Sequence, residues 1–274
     1  MNPVSKLFMA SPKLSGCLFG AIHRDTRRTV LADADRVNHF PASPLFCVTL
    51  LRHGDLFVLP ADRDWNDLSN ATKLPRISVF PPSDLPISSW SPNAIEATTF
   101  GFYADAWMRL GGSLDANDVP TPIHRALDVF DRQNNPETGW TSFCQVLEPE
   151  WTKYRPSAWR PIADISDWAR TVQIRAAFSG RGRSVRAFQR QLKRLSGHSK
   201  RQLDFFSSFE NTHRLILQDP DLSPAELAID AGYADQSHLG RTLRRATGFS
   251  PAHLNRAIAH EEPFWCYRLL GERF

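Results

Sequence analysis

The spacing of hydrophobic residues changes near residue 103, from short runs typical of strands to the three- and four-residue spacing of helices. In the first part, β-branched and aromatic runs alternate with turn residues, which predicts strands. One predicted hairpin joins Phe46–Arg52 to Leu56–Leu59, because His53-Gly54-Asp55 between them favours a tight turn. Further strands are expected at Arg76–Phe80 and Ile95–Phe102.

Helical spacing follows these strands. The helices expected next are Tyr103–Leu110, Ile123–Phe130 and Trp140–Leu147. With the strands they predict a small α+β domain over residues 1–150. Clustered prolines predict a linker at residues 151–162, because proline ends regular structure.

An all-helical domain is predicted over residues 163–260, followed by a tail at 261–274. Its clearest helix start is Ser223-Pro224-Ala225-Glu226, where serine and glutamate can form a capping box and proline takes the first helical position. The other helices expected in this domain are Ile165–Ser179, Ser184–Ser196 and Gln202–Gln218.

A faint internal repeat lies within the helical domain. Residues 184–199 return 51 positions later as residues 235–250, and Phe188 then matches Leu239 while Leu192 matches Leu243. A repeat of this kind indicates two copies of one structural unit. Because both copies are basic helices, it predicts two DNA-reading units joined by the long helix between them.

The second copy completes a helix-turn-helix. A short helix after Ser223 would bury Leu227, Ala228 and Ala231, Gly232 would supply the left-handed residue of the turn, and Asp235 would cap the next helix. Ala228 is small because the two helices cross closely there.

The helix after Asp235 has distinct inward and outward faces. Leu239, Leu243 and Ala246 share the inward face at about 100° per residue. Arg241 could bind guanine and Gln236 adenine through paired hydrogen bonds, while arginines further along the helix would contact phosphate. The candidate DNA contacts in this helix are Gln236, Ser237, His238, Arg241, Arg244 and Arg245.

The first copy follows the same pattern. Its predicted inward residues are Val185, Phe188, Leu192 and Leu195. Its predicted DNA contacts are Arg186, Gln189, Arg190 and Lys193, with Arg181 and Arg183 as further phosphate contacts in the preceding turn.

Charge supports a nucleic-acid partner for this half of the chain. The formal net charge of the whole protein is +4, but residues 165–260 alone carry 15 Lys and Arg against 8 Asp and Glu. A basic surface rich in arginine is what binding to phosphate requires.

Other classes of site find little support. The four cysteines (Cys17, Cys47, Cys144 and Cys266) form no C-x-x-C motif, so reduced thiols and no zinc site are expected. His23, His39 and His53 lie on different predicted elements, so no metal or cofactor site is expected. No run of apolar residues is long enough for a membrane span. These observations predict a soluble, cytoplasmic protein without a membrane partner.

Residues 223–256 resemble the AraC/XylS family of transcription regulators. The matching residues are Leu227-Ala228, Ala231-Gly232-Tyr233, Asp235-Gln236-Ser237-His238-Leu239, Arg241, Leu243-Arg244 and Gly248-Phe249-Ser250-Pro251. The family usually has phenylalanine at the positions of Leu239 and Leu243. A weaker match covers residues 165–203.

The resemblance implies two helix-turn-helix units on a linking helix, with both recognition helices in successive major grooves of double-stranded DNA. It further implies an N-terminal domain that senses a small-molecule effector or forms a homodimer, commonly as a small β-barrel, and a contact with RNA polymerase. Trp65, Trp90, Trp107 and Phe102 could line an effector pocket, although aromatic residues in such a domain are more often core. We therefore expect a bacterial DNA-binding regulator with no enzymatic activity.

Two alternatives remain open at this stage. The N-terminal half could be a small-molecule enzyme with an accessory DNA-binding domain, although no G-x-S-x-G, P-loop or G-x-G-x-x-G motif is present. The protein could also be an architectural DNA binder without sequence preference.

Overall fold

The computed structural model describes residues 2–59, 70–114, 118–179, 184–219 and 222–273. The N-terminal half contains two antiparallel sheets, one in the order β1-β2-β9-β4-β7 and one in the order β3-β8-β5-β6. Neither sheet closes on itself within these ranges, so the strand-rich prediction is confirmed as two open sheets. The strands are β1 (Val4–Met9), β2 (Leu18–Asp25), β3 (Val37–Phe40), β4 (Leu45–His53), β5 (Phe57–Leu59), β6 (Thr72–Lys73), β7 (Ile77–Phe80), β8 (Ile87–Trp90) and β9 (Glu96–Tyr103).

The predicted hairpin between Phe46–Arg52 and Leu56–Leu59 is wrong in its pairing. Both segments are strands, β4 and β5, but they belong to different sheets. Strand β4 pairs with β7 on one side and β9 on the other, so neither of its edges is free to receive β5. Gly54 does adopt a left-handed conformation (φ +80°), and the chain there turns away into the second sheet.

Helices make up most of the remainder of the described chain. Those of the N-terminal half are α1 (Ala104–Arg109), α2 (Thr121–Asp131) and α3 (Pro136–Tyr154). Those that follow are α4 (Ile165–Ala177), α5 (Val185–Ser196), α6 (Lys200–Gln218), α7 (Pro224–Asp230), α8 (Gln236–Thr247), α9 (Pro251–His260) and α10 (Trp265–Gly271). None of the described helices is long and apolar enough to cross a membrane.

Helix α3 is longer at both ends than predicted. The Asn135 side chain caps its start by accepting hydrogen bonds from the backbone N–H groups of Glu137 and Thr138, at 2.8 and 3.1 Å. The helix continues through Pro149, and the buried Trp151 anchors its last turn. Residues 151–154 of the expected linker are therefore helical.

The main hydrophobic core crosses from the sheets into the helical half. Trp107 stacks on Phe46 with ring centroids 4.6 Å apart, and the same buried cluster extends to Trp168 and Leu192. Trp107 and Phe102 are fully buried, which confirms that they belong to the core, whereas Trp65 lies outside the described residues.

The C-terminal segment also packs on the first half. In α10, the indole Nε1 of Trp265 donates a 2.7 Å hydrogen bond to Asn38 Oδ1 at the start of the second sheet. Arg24 in β2 forms an ion pair with Glu262 just before this helix. The boundaries predicted at 150, 162 and 260 remain predictions, since core and ion pairs run across them.

Candidate nucleic-acid interface

Helices α7 and α8 form the helix-turn-helix expected from the sequence. The backbone N–H of Glu226 donates to Ser223 Oγ at 3.3 Å, and Glu226 Oε2 accepts from the backbone N–H of Ser223 at 3.0 Å. This reciprocal capping box lowers the pKa of Glu226. Gly232 lies in the turn with φ +77°, and Ala228 is buried where α7 meets α8. The cap and turn signals in the sequence are thus confirmed, whereas Ala231, predicted to be buried, is only partly buried and follows the last residue of α7.

Helix α8 begins and ends with defined caps. Asp235 Oδ1 accepts a 2.6 Å hydrogen bond from the backbone N–H of His238, and Gly248 ends the helix with φ +85°. The predicted inward residues Leu239, Leu243 and Ala246 are all fully buried.

Helix α5 repeats this geometry 51 positions earlier. Ser184 Oγ accepts from the backbone N–H of Ala187 at 3.2 Å, and Gly197 ends the helix with φ +75°. Each helix has 12 residues. Ser196 Oγ donates to the backbone oxygen of Leu192 in α5, as the equivalent threonine does at the end of α8. The faint sequence repeat is therefore a repeat of structure.

One residue of the predicted inward stripe of α5 faces outward to solvent. Val185 is 73% exposed, whereas Leu192 is fully buried and Phe188 and Leu195 are partly buried. Val185 is the first residue of α5 and lies at the solvent-exposed start of the helix. Val185 lies on the same side of α5 as the buried residues, but the hydrophobic core begins only at the next turn of the helix.

Most predicted DNA contacts are exposed and unpaired. Within the described ranges, His238 and Arg245 are the only predicted contacts whose side chains have a partner. The His238 ring packs edge-to-face on Tyr233, with centroids 5.2 Å apart. In α5 the predicted contacts are Arg186, Gln189, Arg190 and Lys193, and in α8 they are Gln236, Ser237, His238, Arg241, Arg244 and Arg245. The predicted phosphate contacts Arg181 and Arg183 lie outside the described residues.

Arg245 differs from the other basic residues of α8. Its guanidinium forms an ion pair with Asp84 and lies over the ring of Phe205, 4.6 Å from the centroid. The side chain is 39% exposed. To reach a phosphate, Arg245 would first have to leave Asp84.

A short loop of the N-terminal half forms hydrogen bonds with α8 and with the segment just after α5. The backbone N–H of Ala42 donates a 2.7 Å hydrogen bond to the backbone oxygen of Ala246 in α8. Two residues later the backbone oxygen of Pro44 accepts a 3.4 Å hydrogen bond from His198 Nε2, just after α5. We call residues 42–44 the clamp loop. Neither the clamp loop nor Asp84 could be recognised in the sequence, because their partners are more than 150 positions away and no local pattern marks them.

The clamp loop also borders a cavity of about 190 Å³ between the sheets and the helical half. Most of its lining is apolar, and Ile22, Phe40, Phe206 and Leu270 are examples. Trp90, Trp107 and Phe102, three of the aromatic residues considered for a pocket, do not line it.

Charged groups in this lining already have partners. Arg24 is paired with Glu262, and the Glu210 carboxylate accepts hydrogen bonds from the backbone N–H groups of Ile165 and Ser166 at 3.0 and 2.9 Å. Burial raises the pKa of Glu210 despite these hydrogen bonds. The cavity therefore offers apolar contact and few free charges.

The cysteines and the early histidines offer little reactive chemistry. All four cysteines are free thiols, and burial raises the pKa of Cys47 to about 11 and that of Cys144 to about 12. Burial lowers the pKa of His23 and His39 to about 4. Within the described ranges, no three His, Cys, Asp or Glu residues are grouped to hold a metal ion.

Residues 181–257 match the model of a family described as a helix-turn-helix domain. No curated protein sequence matches the chain. Among solved structures, ToxT from Vibrio cholerae is 10% identical, with 93% of this chain and 98% of that chain covered and a TM-score of 0.39. ToxT from strain SCE256 with a bound unsaturated fatty acid is 12% identical, with 80% and 94% covered and a TM-score of 0.37. The AraC-like transcriptional activator CuxR is 10% identical, with 89% of each chain covered and a TM-score of 0.27.

Proposed function

We propose that this chain, whose residues 181–257 match a helix-turn-helix family, is an AraC-type DNA-binding transcription regulator that reads two successive major grooves on one face of DNA with α5 and α8. The observation that carries the proposal is the repeated geometry of the two helices, each with a side-chain N-cap, a left-handed glycine at its end, the same length and an exposed polar face. A recognition helix reaches base edges with its first turns, and two such helices in successive grooves span about one turn of DNA.

Each helix would read different bases. Arg241 would read the segment under α8 together with Ser237 and His238, with Gln236 at the start of the helix, whereas Arg186, Gln189 and Arg190 would read the segment under α5. Lys193 and Arg244 lie further along their helices, where phosphate is the nearer partner. Because the two sets differ in sequence and position, one chain would recognise an asymmetric site as a monomer.

Selection of bound sequences from random DNA tests this function. Arg241→Ala should weaken binding to the selected site by about 1–3 kcal/mol and relax preference at one base pair of one segment. Arg190→Ala should relax preference in the other segment. Arg132→Ala is the matched control, because Arg132 carries the same charge at an exposed position after α2. Loss of preference at the same base pair in both variants, or in the control, would contradict the assignment.

We further propose that a mostly apolar small molecule binds the cavity bordered by the clamp loop and regulates DNA binding. A ligand there would touch the lining near Ala42 and Pro44, and the same loop holds the ends of α5 and α8. Apolar lining with few polar groups is typical of small-molecule sites. The paired state of Arg24 and Glu210 favours a ligand with little or no charge.

Ligand binding can be tested with a long-chain alcohol and the carboxylic acid of the same length. The alcohol should raise the melting temperature and change DNA affinity more than the acid does. Ala97→Leu would fill part of the cavity and should abolish both effects, while Ala252→Leu on the exposed side of α9 should preserve them. A stronger response to the acid, or an unchanged response in Ala97→Leu, would contradict this ligand class or site.

The proposal also includes a contact with RNA polymerase, as the family resemblance implies, and no catalytic role. Dimerisation through the N-terminal half is not required for binding to two grooves, since each chain already carries two recognition helices. Light scattering of the DNA complex measures the number of chains per site. One chain per selected site is the expected result.

A further inference from the structure

Gly240 lies on a partly exposed flank of α8, about 100° round the helix from the buried Leu239, and has no structural need for glycine. Glycine inside a helix is less stable than alanine, because its backbone loses more freedom on folding. The other glycines within described helices have packing reasons: a Cβ at Gly139 would lie 2.9 Å from Phe130, and one at Gly271 would lie 2.4 Å from Leu217. A Cβ at Gly240 would meet no described atom within 4 Å, and its φ is not positive.

The position of Gly240 points to a reason outside the protein. It lies one turn after Gln236 and one turn before Arg244, among the residues that the proposed function places in the major groove. The equivalent residue of α5 is Gln189, which is exposed and carries a long side chain.

Side-chain length on the two helices supports this interpretation. At the second position of the helix, α5 has Arg186 and α8 has Ser237; at the fifth, α5 has Gln189 and α8 has Gly240. A serine hydroxyl lies close to its own backbone, so Ser237 can reach a base edge only if α8 lies deep in the groove. A side chain at position 240 would keep α8 from entering the groove that deeply.

We propose that Gly240 is a specificity-determining residue at which the α8 backbone makes its closest approach to a base-pair edge. The inference rests on the proposed function, because it requires α8 to enter the major groove. Because Gly240 has no Cβ, α8 can enter the major groove deeply enough for Ser237 to contact a base. Helix α5 lies further from the bases and contacts them through longer side chains. The two recognition helices therefore sit at different depths.

Gly240→Ala distinguishes a role of Gly240 in DNA binding from a purely structural role, because in the first case the stability of the fold should rise while the affinity for DNA falls. The melting temperature should rise by about 1–4 °C, since alanine favours the helix and the space is open. Affinity for the selected site should fall about 5- to 100-fold, the size of an overpacking penalty. Gly240→Ser should weaken binding at least as much. The dependence of affinity on salt should not change, because phosphate contacts are retained.

Gln189→Ala is the matched control at the same position of α5. It should relax base preference under α5 without any change under α8. A more stable Gly240→Ala variant that binds the selected site like the wild type would overturn the inference and leave the proposed function intact. A less stable variant would also overturn it, by showing that the protein itself requires glycine. If the wild type selects no sequence at all, the proposed function fails instead.

Discussion

The ion pair between Asp84 and Arg245 occupies a basic residue that could otherwise bind DNA. Asp84 belongs to the N-terminal half and Arg245 to the last turn of α8, and their side chains are 33% and 39% exposed. Asp84→Ala would free the guanidinium while leaving its stacking on Phe205 in place. We expect this change to strengthen DNA binding and slightly weaken folding.

The size of both effects follows from the exposure of the pair. Ion pairs open to solvent contribute about 0.2–1 kcal/mol, so the free energy of unfolding should fall by no more than about 1 kcal/mol. One additional phosphate contact should steepen the slope of log K against log salt concentration by about 0.9. The backbone hydrogen bond from Ala42 to Ala246 would still hold α8.

Titration of the selected DNA site at several salt concentrations measures this slope. Removal of Asp84 also removes a negative charge near DNA, so the double variant Asp84→Ala, Arg245→Ala is needed as a control. Against the Arg245→Ala background, loss of Asp84 should leave the slope unchanged. An unchanged slope in Asp84→Ala alone, or a change in slope that persists without Arg245, would show that the ion pair does not withhold Arg245 from DNA.

Two further predictions concern folding. Leu243→Ala should lower the free energy of unfolding by about 2–5 kcal/mol because Leu243 is fully buried, whereas Val185→Ala should lower it by less than about 0.5 kcal/mol because Val185 is exposed. Denaturant titration measures both changes. Similar losses in the two variants would show that Val185 belongs to the core. Burial lowers the pKa of His39 and His213 to about 4, below the value of about 6.5 in an unfolded chain. The contribution of these two histidines to the free energy of unfolding is therefore complete above pH 6.5 and is lost as the pH falls toward 4. Denaturant titrations across this range should show a decline of up to about 1.4 kcal/mol per pH unit for each histidine, and His213→Gln should make it shallower; an equally steep decline in that variant would contradict the assignment.

The helical half could be predicted in detail because its signals are local. Ser223 and Glu226 cap α7 through bonds three residues apart, and Asp235 and Gly248 define the ends of α8 in the same local way. The exposure of Val185 could not be predicted from helical periodicity alone. Helical periodicity gives the direction of a side chain, but the point at which the core ends depends on elements packed from elsewhere in the chain.

The sheets were predicted less well because strand pairing is not local. The residues around Gly54 form a turn, as their chemistry indicates, yet β4 pairs with β7 and β9 because those strands occupy both of its edges. The contacts of the clamp loop with α5 and α8 likewise leave no pattern in the sequence. The exposure of the candidate contacts in α5 and α8 could be predicted because each lies on a helix whose inward face is marked by buried leucines, while their contact with DNA stays a prediction.

Hydroxyl-radical footprinting of the wild-type protein on its selected site tests most directly whether α5 and α8 read successive grooves. Two protected segments with centres about 10 base pairs apart on one face of the DNA, unlike in sequence and bound by one chain, are the expected result. Arg190→Ala should weaken protection of one segment and Arg241→Ala that of the other. A single protected segment, or two identical segments that require two chains, would contradict the proposal.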